Sequence, residues 1–222
     1  MKEIIFGTSR LHQISKSNRY KLIEEAVKLG IKHFDTSPYY GFGIAEKEIG
    51  NFIKKNSYIN LKISTKFGLY PPKEMINGIN LIYIRRLLYL FSKKFYLPRY
   101  DWSIDSAEKS LTLSLKRLNR EYIDFLFVHE PNNIDNFNEL EYWLNQKVLE
   151  GKVLKWGVAG QIQSIQYWLS NSKVTPQVTQ SAVDDDYYSK KDYLGFDVDY
   201  LYSLITSNKR LNNQNIKDTL KY

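Results

Sequence analysis

The chain switches repeatedly between short apolar runs and longer stretches with helical spacing, and that alternation leaves few folds open. Runs at 4–8, 32–36, 61–65, 123–128, 153–158, 177–182 and 199–205 read as strands. Between them, 19–29, 45–54, 106–118, 140–149 and 162–169 carry apolar residues at three- and four-residue steps, which gives a helix one buried face. In 106–118 that face holds Ala107, Leu111, Leu115 and Leu118, with Asp105 or Ser106 available as the cap. The segment IDFLFV is almost continuously apolar, the sign of a strand covered on both faces. Strands alternating with helices ask for a parallel sheet with right-handed crossovers. An open doubly wound sheet usually announces itself by a glycine-rich phosphate loop after its first strand. Here that turn reads FGTSR. A (β/α)8 barrel is therefore expected, as one domain over 1–222. Seven strands are visible where eight are needed, so the barrel is expected to be incomplete at its C-terminal end. Its open edge, between 4–8 and 199–205, would be a place for the tail or a second chain to pair.

Four residues far apart in sequence fall at or just past the ends of these strands: Asp35 and Tyr40 in HFDTSPYYGFG, Lys66 in LKISTKFG, and His129 in YIDFLFVHEP. A Gly7-Thr8 turn precedes them. Strand ends are where a barrel gathers its functional side chains. Gathered there, these four types make a proton-donating site. The phenol is the acid, the ammonium lowers its pKa, the carboxylate holds the ammonium, and the imidazole orients a carbonyl. Asp35 and Lys66 also suit a structural ion pair without chemistry, and His129 also suits the cap of a buried strand. Of the other histidines, His12 is expected to border the pocket and His33 to pack outside it.

Composition narrows the field. The 222 residues include 43% hydrophobic and 25% charged side chains, ordinary for a globular chain with a large core. There are no cysteines, so disulfides and thiolate metal sites are excluded. The net charge of +8 suits a lysine-rich solvated surface or an anionic ligand. No zinc spacing, basic heptad or RNA-binding motif points to nucleic acid. Asp184, Asp185 and Asp186 form a carboxylate run that reads as a solvated loop, and no metal is expected. MKEIIFGTSR reads as a strand rather than a signal peptide, and no apolar run approaches a membrane span, so a cytoplasmic location is expected.

One segment breaks the rhythm. Residues 68–104 are long for a link between strand and helix and are expected to form a lid-like insertion. It carries Arg85, Arg86, Lys93, Lys94 and Arg99, interleaved with Ile82, Ile84, Leu87, Leu88, Leu90 and Phe91. That pattern suits a lid helix laid on the barrel mouth, a cationic rim for phosphate-bearing substrates, or a membrane-surface helix.

At these residues the chain resembles the aldo-keto reductases, over roughly 3–205. GIKHFDTSPYYGFGIAEKEIG is similar to that family's Gly-x-x-His/Phe-x-Asp-Thr-Ala-x-x-Tyr-Gly segment, with the five-residue step from Asp35 to Tyr40. SLTLSLKRLNREYIDFLFVHEP resembles the helix and fourth strand that end in the catalytic histidine, and GKVLKWGVAG resembles the fifth-strand segment. The resemblance implies reversible reduction of an aldehyde or ketone by NADPH, with NADH as the alternative. Tyr40 would be the general acid, Lys66 and Asp35 its tuning pair, and His129 the carbonyl-orienting group. Gly7, Thr8 and Asp35 would line the cofactor. Gln180, in QVTQSA, matches the residue that holds the nicotinamide carboxamide. Tyr202, in YLYSL, matches the aromatic that stacks on the nicotinamide, with Tyr200 available in a shifted register, and Ser203 would approach the pyrophosphate. Ala159 and Gly160 stand where the family usually has Ser-Asn as amide ligands. The family's segment gripping the adenosine 2′-phosphate finds no match. The substrate implied is a small carbonyl compound, anionic or sugar-derived. A barrel of this kind without its cofactor clamp would instead serve as a non-catalytic binding or scaffold protein.

Overall fold

The apolar runs pair with one another in chain order. A computed structural model describes residues 4–71, 98–182 and 198–202. Its strands are β1 Ile5–Gly7, β2 His33–Asp35, β3 Lys62–Phe67, β4 Leu69–Tyr70, β5 Arg99–Tyr100, β6 Ile123–His129, β7 Val153–Gly160, β8 Val178–Ala182 and β9 Tyr200–Tyr202. Its helices are α1 Lys16–Lys28, α2 Ile44–Lys55, α3 Ile104–Leu118, α4 Phe137–Leu149 and α5 Ile162–Asn171, with a 3-10 turn at Leu11–Gln13. Seven strands make one parallel sheet in the order β1-β2-β3-β6-β7-β8-β9, while β4 and β5 form a separate antiparallel ribbon. The fold is a (β/α)8-type barrel, incomplete among the described residues: there, β1 pairs with β2 alone and β9 with β8 alone.

Strand alternation splits the apolar residues into two cores. Outward-facing Phe34, Ile63, Leu126, Val128, Trp156 and Val158 pack with Ile23, Ile49, Leu111, Leu144, Ile165 and Trp168 of the helices. Inward-facing Phe127, Ala159 and Val178 form a smaller cluster with Phe125 and Tyr200. His33 belongs to this interior. Its ring stacks on Phe125 at 5.2 Å, meets Tyr200 edge-on at 5.6 Å, and shares a 2.6 Å hydrogen bond with Ser64. At several strand starts a side-chain oxygen satisfies a neighbouring strand's backbone N–H. Asp124 accepts from Ile63 at 2.9 Å, Gln177 from Trp156 at 3.0 Å, and Asp199 from Thr179 at 2.7 Å.

The register sets where side chains meet. Gly7, Asp35, Ser64, Phe125 and Lys155 lie in one row across five strands. Lys66, Phe127, Gly157 and Val178 form a second row two residues further along. His129, Ala159, Gln180 and Tyr200 form a third.

Several boundaries differ from expectation; α1 and α4, for example, each begin three residues earlier. Lys66 lies inside β3, because the ladder with β6 continues to Phe67. α3 begins at Ile104 and its cap is Ser103, whose hydroxyl accepts from the Ser106 N–H at 3.4 Å. The insertion at 68–104 closes on the β4–β5 ribbon, where Arg99 pairs with Asp101 and lies over the Tyr70 ring at 5.1 Å. Arg85, Arg86, Lys93, Lys94, the carboxylate run at 184–186 and Ser203 lie outside the described residues. No helix among the described residues is long and apolar enough to cross a membrane.

Candidate active site

β2 is three residues long, and its last residue is Asp35. Both the hydroxyl and the N–H of Thr8, just past β1, donate to the Asp35 backbone carbonyl, at 2.9 and 3.0 Å. Thr8 therefore ties the end of β1 to the end of β2, which fixes the height of the Asp35 carboxylate. Lys66 is 2% exposed and reaches that carboxylate with Nζ at 2.5 Å from Oδ1. It also donates to the Thr36 carbonyl at 3.1 Å. Burial pulls the Lys66 ammonium below its ordinary value of 10.5, and attraction to Asp35 works against that pull.

Tyr40 stands on a turn rather than a strand. Its N–H donates to the Ser37 carbonyl at 2.9 Å, and its carbonyl accepts from Ala45, inside α2, at 3.3 Å. Gly41, Phe42 and Gly43 all adopt left-handed φ, at 61°, 61° and 81°, so the turn needs its two glycines. A methyl at Gly41 would lie 2.3 Å from the His12 Cβ, which places His12 directly behind the Tyr40 turn. The turn brings the Tyr40 ring to 5.2 Å from Lys66 Nζ and to 6.4 Å from the His129 ring, at 87°.

His129 ends β6 and is 7% exposed. Its backbone carbonyl accepts from the Trp102 indole at 3.3 Å, and Gly68 leaves room for that indole: a methyl there would lie 2.3 Å from it. Burial first, and the Lys66 charge second, hold the imidazole well below 6.5. At neutral pH it is therefore uncharged, with one N–H to donate. Its Nδ1 has no hydrogen-bond partner among the described residues.

The structure thus brings Asp35, Tyr40, Lys66 and His129 together. The third row continues from His129 through Ala159 to Gln180, whose side-chain Oε1 is buried and unpartnered among the described residues. Gly160 is packed by Glu130: a methyl there would lie 2.5 Å from the Glu130 carboxylate. That carboxylate also accepts from the Gln161 N–H at 3.0 Å and the Ser164 hydroxyl at 2.9 Å, where α5 begins. Gly7 faces open space. Tyr202 is placed by its backbone, in register with Ala182.

A family model described as the aldo/keto reductase family matches residues 3–184. The chain belongs to the aldo/keto reductase family. Among its relatives, a D-threo-aldose 1-dehydrogenase of Pseudomonas sp is 28% identical over 130 residues, covering 55% of this chain and 36% of the relative. The L-galactose dehydrogenase of Arabidopsis thaliana is 30% identical over 167 residues, covering 70% and 43%. The chain thus spans less than half the length of either. A solved aldo-keto reductase of Bacillus halodurans, in its holo form, shares the fold with a TM-score of 0.65 at 19% identity, over 88% of this chain and 60% of that one.

A nicotinamide dinucleotide is the cofactor this family implies. The third row has a polar group of the kind a carboxamide would need: the Gln180 Oε1, in the same row as His129, is buried and has no hydrogen-bond partner among the described residues. Ala159 and Gly160 bring no side-chain hydrogen-bonding group beside it, and the Glu130 carboxylate fills the space an asparagine at 160 would need.

One group escaped the sequence reading. Glu46, in the first turn of α2, is fully buried; a glutamate there ordinarily reads as a solvated partner of the helix dipole.

Proposed function

We propose that the chain carries the NADPH-dependent reduction of an aldehyde or ketone to an alcohol, reversibly, with NADH as the alternative cofactor. The observation that supports this most is the convergence of a tyrosine, a buried lysine–aspartate pair and a neutral histidine at one end of the barrel. When bound, the reduced nicotinamide supplies hydride to the carbonyl carbon. Gln180 would hold its carboxamide, with Gly7, Thr8, Asp35, Ala159 and Gly160 as neighbours; by resemblance to the family, Tyr202 would stack on the nicotinamide and Ser203 approach the pyrophosphate.

The chain's own residues handle the oxygen. The neutral His129 donates a hydrogen bond to the carbonyl and so sets its position. Tyr40 gives its phenolic proton to the oxygen as negative charge builds there. The phenolate that remains is stabilised by the Lys66 ammonium above its ring, and solvent returns the proton. Asp35 holds Lys66 in place through the 2.5 Å contact. Burial of the pair strengthens each of these interactions.

The names of two relatives, a D-threo-aldose 1-dehydrogenase and an L-galactose dehydrogenase, support a sugar-derived substrate. We take a sugar or sugar-derived carbonyl compound as the substrate. The test is oxidation of NADPH in the presence of aldoses and sugar aldehydes, with Tyr40→Phe beside the wild type. The variant should lose about 10²-fold or more in turnover while binding NADPH as before. Full activity in Tyr40→Phe would sink the assignment.

A further inference from the structure

Glu46 is completely buried, yet the chemistry above makes no use of it. Its Oε1 accepts from the Thr65 hydroxyl at 2.8 Å and the Ser114 hydroxyl at 2.6 Å. Its Oε2 takes Arg117 Nη1 at 3.1 Å. Burial pushes this carboxyl up from its ordinary value, and Ser114, Arg117 and Thr65 all pull it back. A buried carboxylate is costly even when paired, and an apolar residue of similar size would fill a site between a sheet and two helices more cheaply.

The placement of Glu46 supplies a reason for it. Thr65 immediately precedes Lys66 in β3. Strand alternation turns Thr65 out toward the helices and Lys66 in toward Tyr40. At the other end, α2 is continuous with the Tyr40 turn: Ala45 N–H donates to the Tyr40 carbonyl at 3.3 Å and Ile44 N–H to Gly41 at 3.1 Å. Glu46 thus joins the turn that carries Tyr40 to the strand that carries Lys66, from the face of the sheet opposite the site. Arg117 supports the same turn, since a methyl at Gly43 would lie 2.7 Å from its Nε.

We propose that Glu46 is a positioning residue, fixing Tyr40 against Lys66 by holding the Tyr40 turn to β3 through the Thr65 hydroxyl. The inference rests on the assignment of Tyr40 and Lys66 to carbonyl reduction. Small displacements of such groups are expensive: about 1 Å can cost about 10²-fold in rate.

The test uses the full chain labelled with 3-fluorotyrosine. The fluorine resonance missing in Tyr40→Phe belongs to Tyr40. Thr65→Val keeps the shape and removes the hydroxyl. It should move or broaden that resonance and lower kcat about tenfold, with KM and NADPH affinity changed by less than about twofold. Thr65→Ser, which restores the hydroxyl, should return both. Glu46→Ala should produce the same changes, and adding Thr65→Val to it should do nothing more. If Glu46→Ala fails to melt cooperatively, the two Thr65 variants carry the test. A Tyr40 resonance unmoved by Thr65→Val overturns the proposal, even where the melting temperature drops, because Glu46 would then only support the helices. If the wild type reduces no carbonyl, the reductase reading fails, and the resonance still decides whether Glu46 places Tyr40.

Discussion

The buried imidazole of His129 couples the stability of the fold to pH. His129 is held well below 6.5 by burial and then by Lys66. Below pH of about 6.5 the unfolded chain takes up a proton that the folded protein refuses. Stability must therefore fall as pH falls through that window, by at most about 1.4 kcal/mol per pH unit for one group. His129→Asn should flatten the dependence. Urea midpoints for wild type and variant, compared between about pH 5.5 and 7, give the answer. Parallel pH dependences would mean that His129 titrates normally in the folded protein. Glu46, pushed up by burial, acts in the opposite sense nearer the carboxylate range, so the difference between the two proteins is the quantity to read. Asp35, Tyr40, Lys66 and His129 were legible in the sequence because each ends or follows an apolar run, and a polar residue there has nowhere ordinary to go. Glu46 was not legible, since an acid in a helix's first turn needs no special account until its burial is known.

At the scale of elements, the helix pair α2–α3 shows why local preference and packing can disagree. Gly50 lies inside α2, where alanine would normally be better by about 1 kcal/mol. A methyl there would lie 2.0 Å from the Arg117 carbonyl oxygen and 2.8 Å from the Leu118 backbone. Backbone at the end of a packed helix cannot swing aside as a flexible side chain can, so overpacking, typically about 1–3 kcal/mol, should win. Gly50→Ala is expected to lower the urea midpoint, by about 1–2 kcal/mol in stability. A more stable variant would show that the helices can part at no cost. All seven sheet strands could be read from the sequence, because each is an apolar run long enough to carry a period. The β4–β5 ribbon could not, since two residues carry no period at all. The start of α3 was misplaced because Asp105 and Ser106 are themselves good caps, whereas Ser103 takes the role with Asp101 fixing its hydroxyl at 2.6 Å.

At the scale of the whole molecule, the cofactor reading makes a thermal prediction. NADPH at about 100 times its Kd should add about 2.7 kcal/mol to the folded state, which raises the melting temperature of a chain this size by roughly 5–10 °C. An unchanged melt at millimolar NADPH would favour the non-catalytic, scaffold-like alternative. The three rows of the sheet carry a broader consequence. Asp35, Lys66 and His129 sit in successive rows, two residues higher at β3 and two higher again at β6. The candidate site therefore steps one row of the sheet at a time, and each of these three side chains occupies one storey of it. Storeys are separated by two residues, about 6.6 Å, and the odd positions between them open onto the helices. A lysine moved from 66 to Ser64 would arrive one storey down, beside His33, whose ring nitrogen lies 2.6 Å from the Ser64 hydroxyl. Moved to Thr65, it would stand outside the barrel against Glu46. An inward-facing group in this barrel can therefore be relocated only in whole storeys, never adjusted by a single residue.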